Sequence, residues 1–299
     1  MILEQVINGL SLGSVYGLIA LGYSLVYGMM EILNFAHGDI FMVGAMVGWV
    51  ISTRLIGSIP ASLVLVLSLV GAAVASGLIG WATERFAYRP LQKGSRLAPL
   101  LTALGVSILL QNVVLLTLGA RSRVYPSQAL LSGWPTITIA GAVLSPSRQM
   151  MMICALALLV ALDYFAQHTT LGTALRAVAQ DRQAAALMGI DVQRIISLVF
   201  IIGSSLAGIA GVLVGLYYGQ ADFYMGYTAG MKAFTAAVLG GIGQMRGAAL
   251  GGLLLGLVES LSVLVLPPIY RDMITFAVLI VILLVRPNGL LGRAADSRA

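Results

Sequence analysis

The sequence predicts an all-α, polytopic helical membrane protein, and its composition and apolar patterning carry that prediction. Of the 299 residues, 59% are hydrophobic and only 9% are charged, whereas a soluble domain carries about 25% charged residues. Apolar runs of about 20 residues recur along the chain, which is the length of a membrane-spanning helix and about twice that of a barrel strand. We therefore expect one transmembrane domain over residues 1–299, with no soluble domain between its spans.

Eight apolar segments are long enough to cross a membrane. They are residues 5–28, 35–54, 58–84, 97–119, 148–167, 193–218, 246–266 and 270–286. A ninth segment, 228–242, contains several glycines and is too short for a straight crossing. Short interrupted segments of this kind are typical of broken or half helices that meet other protein inside the membrane. The sequence thus predicts eight or nine membrane segments.

Basic residues predict the orientation of these spans, because they accumulate on the cytoplasmic side. They concentrate in the loops after the third and fifth spans and near the C-terminus: Arg85, Arg89, Lys93, Arg96, Arg176, Arg182, Arg194, Arg286, Arg293 and Arg298. If these segments are cytoplasmic, the proline-containing loop 120–147 is an irregular external cap. A cytoplasmic C-terminus then favours nine crossings over eight. The net charge of +6 follows from this topology, so no nucleic-acid partner is expected.

Glycines spaced four residues apart predict close helix packing. The chain has 35 glycines, and the spaced sets include Gly9, Gly13, Gly17, Gly44, Gly48, Gly211, Gly215, Gly219, Gly247, Gly251, Gly252 and Gly256. Small residues on one helical face let backbones approach closely in lipid, where hydrophobic attraction between helices is weak. We expect a tightly packed bundle and a partner subunit that packs against some of these glycine faces.

Polar residues cluster at the junction of the first two spans, in Glu31–Asp39. Polar groups at such depth are costly unless they are satisfied. Asn34 and Asp39, with Gly38, are candidates to cap or kink the start of the second helix. A proton relay through His37 is the alternative, because histidine titrates near neutral pH.

Lys232 and Glu259 are the charges predicted to lie deepest in the membrane. Each needs a partner or water there. They pair with each other or line a translocation path, or else Lys232 extends to the membrane edge. Gln111 and Asn112, in the middle of a span, are expected to form hydrogen bonds between helices.

No pattern of residues indicates chemistry carried out by this chain. The glycine-rich stretch 240–247 follows no strand, and the sequence has no G-x-x-x-x-G-K-[ST] motif for binding ATP phosphates. Cys154 is the single cysteine, which excludes an internal disulfide and a cysteine metal site. We expect no catalytic residue, no metal and no cofactor, and therefore a conduit and not an enzyme.

One polar insertion interrupts the apolar pattern between two spans. It reads LGTALRAVAQDRQAAALMGIDVQR and covers Leu171–Arg194. An amphipathic segment of this kind in a membrane protein is expected to meet a partner in water.

Within it, Gln183, Ala184 and Ala185, followed four residues later by Gly189, resemble the E-A-A-x-x-x-G loop of ABC importer permeases, with Gln in place of Glu. The chain as a whole resembles the permeases of branched-chain amino acid ABC importers. The matching stretches are Gly9–Asp39, Glu84–Leu91, Leu171–Asp191 and Met231–Gly252.

The resemblance implies a type II-like importer permease in the bacterial inner membrane. Two ATPase subunits, which bind the ATP, a related second permease and an external substrate-binding protein would be its partners, with Leu, Ile and Val as cargo. Two short cytoplasmic helices over 171–190 would couple to the ATPases. The candidate coupling residues are Leu171, Gly172, Arg176, Asp181, Arg182, Gln183, Ala184, Ala185 and Gly189. Importers of urea or short-chain amides are the first alternative, and a transporter driven by an ion gradient through His37, Asp39 and Glu259 is the second.

The docking assignment makes a prediction of its own. A bulky charged residue at Gly189 or Ala185 is expected to abolish uptake without removing the protein from the membrane.

Overall fold

A computed structural model describes residues 2–91 and 97–292 of the chain. It consists of twelve α-helices and four very short strands within those ranges. Lys93, Arg96, Arg293 and Arg298, which were used to predict the orientation, lie outside the described residues.

Each of the nine predicted membrane segments forms a helix. The nine are α1 (Ile2–Met30), α2 (His37–Leu55), α3 (Ala61–Ala82), α4 (Ala98–Leu118), α6 (Pro146–His168), α9 (Val192–Tyr218), α10 (Met225–Gly240), α11 (Met245–Ser262) and α12 (Arg271–Val285). A π-helical turn, Thr83–Tyr88, and a 3-10 turn, Arg89–Leu91, extend α3. The elements between spans are α5 (Ser127–Leu130), α7 (Thr170–Gln180), α8 (Arg182–Leu187), β1 (Arg123–Val124), β2 (Ile137–Ile139), β3 (Ala142–Leu144) and β4 (Gln220–Ala221).

Helix α1 is the centre of the bundle. Nearly all of its most apolar stretch is buried, because α9, α10, α11, α6 and α2 pack around it. By contrast, α4 and α12 are apolar but mostly exposed. An apolar helix surface of this kind is compatible with lipid or with another membrane subunit.

The bundle has two distinguishable ends. One carries the pair α7 and α8, and we name it the helix-pair end. The other carries the strands and is named the strand end; there β1 pairs antiparallel with β4, and β2 with β3. Trp49 near the end of α2 donates a hydrogen bond from Nε1 to the Val124 carbonyl at 3.0 Å, which fixes α2 beneath the first strand pair.

Helices α10 and α11 form a bent pair. Their axes differ by 118° across a short break, where Gly241 and Gly243 adopt positive φ angles of 109° and 86°. The glycine-rich stretch 240–247 is therefore a tight reversal between two helices. This explains why the sequence needs glycine here, since other residues rarely adopt such backbone angles.

The reversal lies at the helix-pair end, because Arg246 at the start of α11 forms an ion pair with Asp163 near the end of α6, the helix that leads into α7. Leu290 and Leu291, just after α12, donate backbone hydrogen bonds of 2.9 and 3.0 Å to the carbonyls of Leu239 and Gly240. At the far end of α11, the Ser260 hydroxyl donates to Gln5 Oε1 at 2.9 Å, beside the start of α1. Helix α11 therefore runs back to the strand end.

This course bears on the number of crossings. Length and composition alone give seven spans, or eight if the bent pair were one broken span. Because α10 and α11 run in opposite directions, the start of α1 and the end of α12 lie at opposite ends of the bundle. That is the parity that nine crossings require, whereas eight would put them at the same end.

The 120–147 loop is more regular than the sequence indicated. We expected an irregular cap, but it contains α5, the β2–β3 hairpin and β1. Tyr125 anchors it, since its hydroxyl donates to the Ala45 carbonyl at 3.2 Å. The prediction was wrong because these strands are only two or three residues long, too short for a recognisable alternation.

The spaced glycines pack helices within this chain. A Cβ atom at Gly13 would lie 2.8 Å from the Gly252 carbonyl oxygen and 2.8 Å from the Leu253 Cα. Gly9 meets Leu257 and Gly256 in the same way, one turn along. On the other side of the core, Gly44 of α2 lies against Gly208 of α9. Close backbone contact at each of these crossings leaves no space for a side chain.

We predict that Gly13→Val separates α1 from α11 and lowers the free energy of unfolding by about 1–3 kcal/mol, the usual cost of overpacking a core. The thermal midpoint of the detergent-purified protein measures this loss. Gly105→Val is the matched control, because a Cβ placed at Gly105 would have no atom within 4 Å beyond the nearby backbone of its own helix. Equal midpoints for the two variants would contradict the packing described here.

Candidate functional site

The polar insertion forms two short helices, as the sequence predicted. Helix α7 covers Thr170–Gln180 and α8 covers Arg182–Leu187. Thr169 caps α7, because its hydroxyl oxygen accepts a hydrogen bond from the Gly172 backbone N–H at 2.9 Å. Two well-capped helices in a segment this short give it a fixed shape.

Several predicted coupling residues hold this pair in place. Asp181 caps α8, since its Oδ1 accepts from the backbone N–H groups of Gln183 and Ala184 at 2.8 and 3.0 Å. Arg176 donates to the Ala166 carbonyl at the end of α6. Gly172 is buried against the carbonyls of Phe165 and Ala166. Arg176 and Gly172 thus fix the angle between α6 and α7, while Asp181 fixes the start of α8.

The last turn of α8 ends on glycine. Gly189 has a φ of 84°, and its N–H donates to the Ala186 carbonyl at 3.0 Å. The adjacent Ile190 N–H donates to the Ala185 carbonyl at 3.1 Å. This left-handed residue after the helix is the usual way of ending it.

The exposed residues of α8 are not the same as the residues that the motif singled out. Ala185 is only 4% exposed and faces the protein, so a charged residue there would disrupt the helix pair itself. In contrast, Leu187 and Met188 are 88% and 83% exposed. Arg182, Gln183 and Ala184 are also exposed, as is Leu171 on α7. Leu187 and Met188 were not among the residues predicted from the sequence. An apolar Leu-Met pair just before the glycine that ends the helix, within a polar insertion, could have indicated an exposed contact surface.

The polar cluster at the start of α2 does not cap that helix. Ala36 is the N-cap residue and no side chain bonds there. Instead, Asn34 Oδ1 accepts from the Tyr88 hydroxyl at 2.9 Å, and Asp39 accepts from Ser107 at 2.5 Å and from Gln111 at 2.9 Å. The capping prediction was wrong because these side chains found partners on other helices.

Gln111 therefore joins helices as predicted, whereas Asn112 does not within the described residues. Its Nδ2 donates to the Ile108 carbonyl of its own helix at 2.8 Å. Gly38 does allow close packing at the start of α2, since it lies against Gly226 and Gly230 of α10.

His37 is fully buried. Its ring packs edge-on against Tyr23 with a centroid distance of 4.7 Å and lies close to Gly22. Within residues 2–91 and 97–292, no hydrogen bond joins the His37 ring nitrogens to another side chain. A packing role therefore accounts for His37, and the geometry gives the proton relay no support.

Lys232 and Glu259 form the ion pair that was one of the predicted arrangements. Lys232 Nζ lies 2.8 Å from Glu259 Oε1 and also 2.8 Å from Oδ1 of Asp272, at the start of α12. The side chains of Lys232 and Glu259 are 11% and 2% exposed, whereas that of Asp272 is 57% exposed. The Lys232 ammonium also lies 5.8 Å from the centre of the Tyr16 ring, near enough for a cation–π contact. Sequence spacing gave no signal for Asp272, 40 positions away.

A second cluster ties α3 to α9 at the helix-pair end. Glu84 is fully buried, and its carboxylate accepts hydrogen bonds from Arg89 Nε and Nη2, each at 2.9 Å. Ser197 of α9 donates to Glu84 Oε2 at 2.7 Å and accepts from Arg89 at 2.7 Å. The ERFAYRPL stretch thus supplies an ion pair within the extension of α3, and the two hydrogen bonds of Ser197 join this pair to the start of α9.

A buried central helix, spans that pack through glycine and a capped helix pair at one end define a multi-pass helical membrane protein. Comparison with known proteins gives the family. Residues 5–283 match the family model described as branched-chain amino acid transport system, permease component.

Two curated relatives match over nearly their whole length. The high-affinity branched-chain amino acid transport system permease protein LivH of Escherichia coli K12 is 44% identical over 97% of this chain and 96% of its own. BraD of Pseudomonas aeruginosa, of the same description, is 41% identical over 97% and 96%. The chain belongs to this permease family.

More distant relatives extend the comparison. A probable branched-chain amino acid permease of Methanocaldococcus jannaschii is 30% identical over 92% of this chain and 88% of its own. Among solved structures, a chain of PsaBC from Streptococcus pneumoniae in complex with Fab aligns over 94% of this chain and 91% of its own, with a TM-score of 0.46 and 15% identity. A likeness at that level adds nothing to the family assignment.

We predict that Asp181→Ala frays α8, because loss of an N-cap side chain costs about 0.5–2 kcal/mol. Amide hydrogen exchange over residues 182–187 should become faster, while exchange in α9 stays unchanged. Asp181→Asn is the control, since asparagine also caps helices well. Unchanged exchange in the alanine variant would exclude the capping role.

Proposed function

We propose that this chain is the permease subunit of an ATP-driven importer of branched-chain amino acids. Membership of the permease family over residues 5–283 is the observation that carries the proposal. The relatives that match most of this chain all have branched-chain amino acids in their names. This favours Leu, Ile and Val over urea or short-chain amides as cargo.

The proposed partners follow from what such a permease needs. Two ATPase subunits supply ATP hydrolysis, a related second permease completes the translocation path, and an external binding protein delivers substrate. This chain itself binds no ATP and carries out no catalysis under this proposal. The exposed apolar helices α4 and α12 offer surface for the second permease or for lipid.

We place the helix-pair end in the cytoplasm of a bacterial inner membrane. Among the described residues, seven basic side chains lie at that end: Arg85, Arg89, Arg176, Arg182, Arg194, Arg246 and Arg286. Five lie at the strand end: Arg54, Arg121, Arg123, Arg148 and Arg271. Because basic residues favour the cytoplasmic side, this distribution supports a cytoplasmic C-terminus and an external strand cap.

The surface proposed to meet the ATPase is the tip of α8. Leu187 and Met188 present a small apolar patch in water, flanked by exposed Arg182 and Gln183. Exposed apolar side chains grouped in this way are typical of a contact surface. ATP-driven closure of the ATPases would push on α8, and α7 would transmit the movement to α6 through Arg176 and Gly172.

Beyond α7, the movement would pass into the membrane spans. The small residues of Gly203–Gly219 and Gly240–Gly252 would allow these helices to slide against their neighbours. Opening and closing of the interface between the two permeases would then alternate access to the two sides of the membrane.

Purification of the complex from native membrane tests the proposal. Identification of the co-purifying subunits should give an ATPase, a second permease and an amino acid-binding protein. In proteoliposomes, excess unlabelled isoleucine should suppress uptake of labelled leucine, whereas excess urea or acetamide should leave it unchanged. Uptake of urea in preference to leucine would overturn the cargo, and absence of any ATPase would overturn the class.

We predict that Leu187→Glu combined with Met188→Glu abolishes uptake, because two carboxylates replace the apolar tip that would enter the ATPase. The amount of protein in the membrane should be unchanged, and the ATPase should no longer co-purify. Val124→Glu is the matched control, since Val124 is also an exposed apolar residue, 79% accessible, but lies at the strand end. Normal co-purification by the double variant would refute docking at this tip.

A further inference from the structure

A cavity of about 270 Å³ lies between α1, α9 and α10 and reaches the strand end. Leu12, Val15 and Val214 contribute apolar wall, while Lys232, Asp222 and Thr228 are among its polar lining residues. Thr228 is exposed and marks the mouth, whereas Lys232 is 8% exposed. The cavity therefore combines an apolar wall with a charged group at depth.

The two carboxylates that contact Lys232 differ in their exposure to solvent. Glu259 is 2% exposed and supplies the buried partner that Lys232 needs at this depth. Asp272 makes an equally short contact of 2.8 Å, but its side chain is 57% exposed at the first turn of α12. An ion pair with a half-exposed partner adds little to stability, because water screens it. Asp272 is therefore the partner that another carboxylate can replace.

The surrounding charges limit which molecule can do so. Lys232 faces the two carboxylates of Glu259 and Asp272, Asp222 adds a third acid at the cavity, and Arg271 lies beside Asp272 in the chain. A simple anion at Lys232 would add a negative charge beside the carboxylates of Glu259, Asp272 and Asp222, which repel it. A zwitterion brings its own ammonium group and adds no net charge, so every ion keeps a partner.

We propose that this cavity binds a free aliphatic α-amino acid by insertion into the Lys232–Asp272 ion pair. The α-carboxylate of the ligand replaces Asp272 on Lys232, and its α-ammonium group pairs with the released Asp272. The aliphatic side chain lies against Leu12, Val15 and Val214. Glu259 stays on Lys232 throughout and keeps the buried ammonium neutralised.

This inference rests on the proposed function and deepens it, because it gives the permease a substrate contact of its own. A cavity that opens at the strand end is placed to receive cargo from an external binding protein. Discrimination at this site follows from ionic chemistry: a ligand without its ammonium adds a negative charge beside three acidic side chains, and a ligand without its carboxylate has no group that can pair with Lys232.

Protection of an engineered thiol tests the site. Thr228→Cys at the mouth, in a Cys154→Ser background, is labelled with a maleimide in the assembled permease–ATPase complex without the binding protein. Millimolar leucine should slow the labelling several-fold. 4-Methylpentanoate, which lacks the ammonium, and 3-methylbutylamine, which lacks the carboxylate, should not.

A second variant makes the test specific. Asp272→Asn, added to the Thr228→Cys protein, should remove the protection by leucine. Asp163→Asn is the matched control: Asp163 also forms a half-exposed ion pair, with Arg246 at 3.0 Å, but far from the cavity mouth. Protection should persist in that control.

The outcomes separate this site from the importer itself. Absence of protection by leucine, equal protection by either analogue, or protection that survives Asp272→Asn would each overturn the site. The analogue comparison needs no charged variant, so it stands even if Asp272→Asn does not assemble. ATP-driven leucine uptake by the intact importer, measured in parallel, tests the proposed function: uptake without protection contradicts the site alone, and absence of uptake contradicts the function.

Discussion

Close backbone contact between α1 and α11 is the constraint on which the rest of the structure depends. Gly9 and Gly13 of α1 meet Gly252 and Gly256 of α11 with no space for a side chain. This contact surrounds α1 with other helices and sets the direction of α11, whose start is the reversal at 241–244. The position of α10, and with it Lys232, follows from that reversal. Glycine packing thereby determines where the deepest charge of the bundle lies.

Buried charge is the second constraint. Lys232, Glu84 and Asp39 are each buried, and each contacts at least one group on a different helix. Removing one partner would leave a charge without compensation in a low-dielectric interior, which is strongly unfavourable. These contacts therefore specify which helices are neighbours, while the glycines specify how closely they approach. The exposed tip of α8 lies outside both networks.

Local patterns in the sequence were sufficient for most of the fold. All nine apolar segments are helices, and the helix pair ends at Gly189 as its motif indicated. The pairing of Lys232 with Glu259 was also one of the arrangements foreseen, because a charge at that depth needs a partner. These successes share one cause: hydrophobic length, capping and the cost of burying charge all act over short distances or on single residues.

Contacts distant in sequence account for what was missed. Asn34 and Asp39 sit where caps are expected, yet Tyr88, Ser107 and Gln111 on other helices bind them. The inward direction of Ala185 depends on how α8 rests on the bundle, which its motif does not encode. Asp272 joined Lys232 because α11 turns back beside α12, and no periodicity reports that turn. Packing between helices, more than any property of one helix, decided each of these cases.

The central claim is that this chain couples ATP hydrolysis by partner subunits to amino acid movement. Its most direct test is leucine uptake into proteoliposomes that contain the complete importer, with ionophores collapsing all ion gradients. We predict uptake that requires ATP on the α8 side and persists without any gradient. Uptake that stops when the gradients collapse, while ATP is still present, would contradict the account.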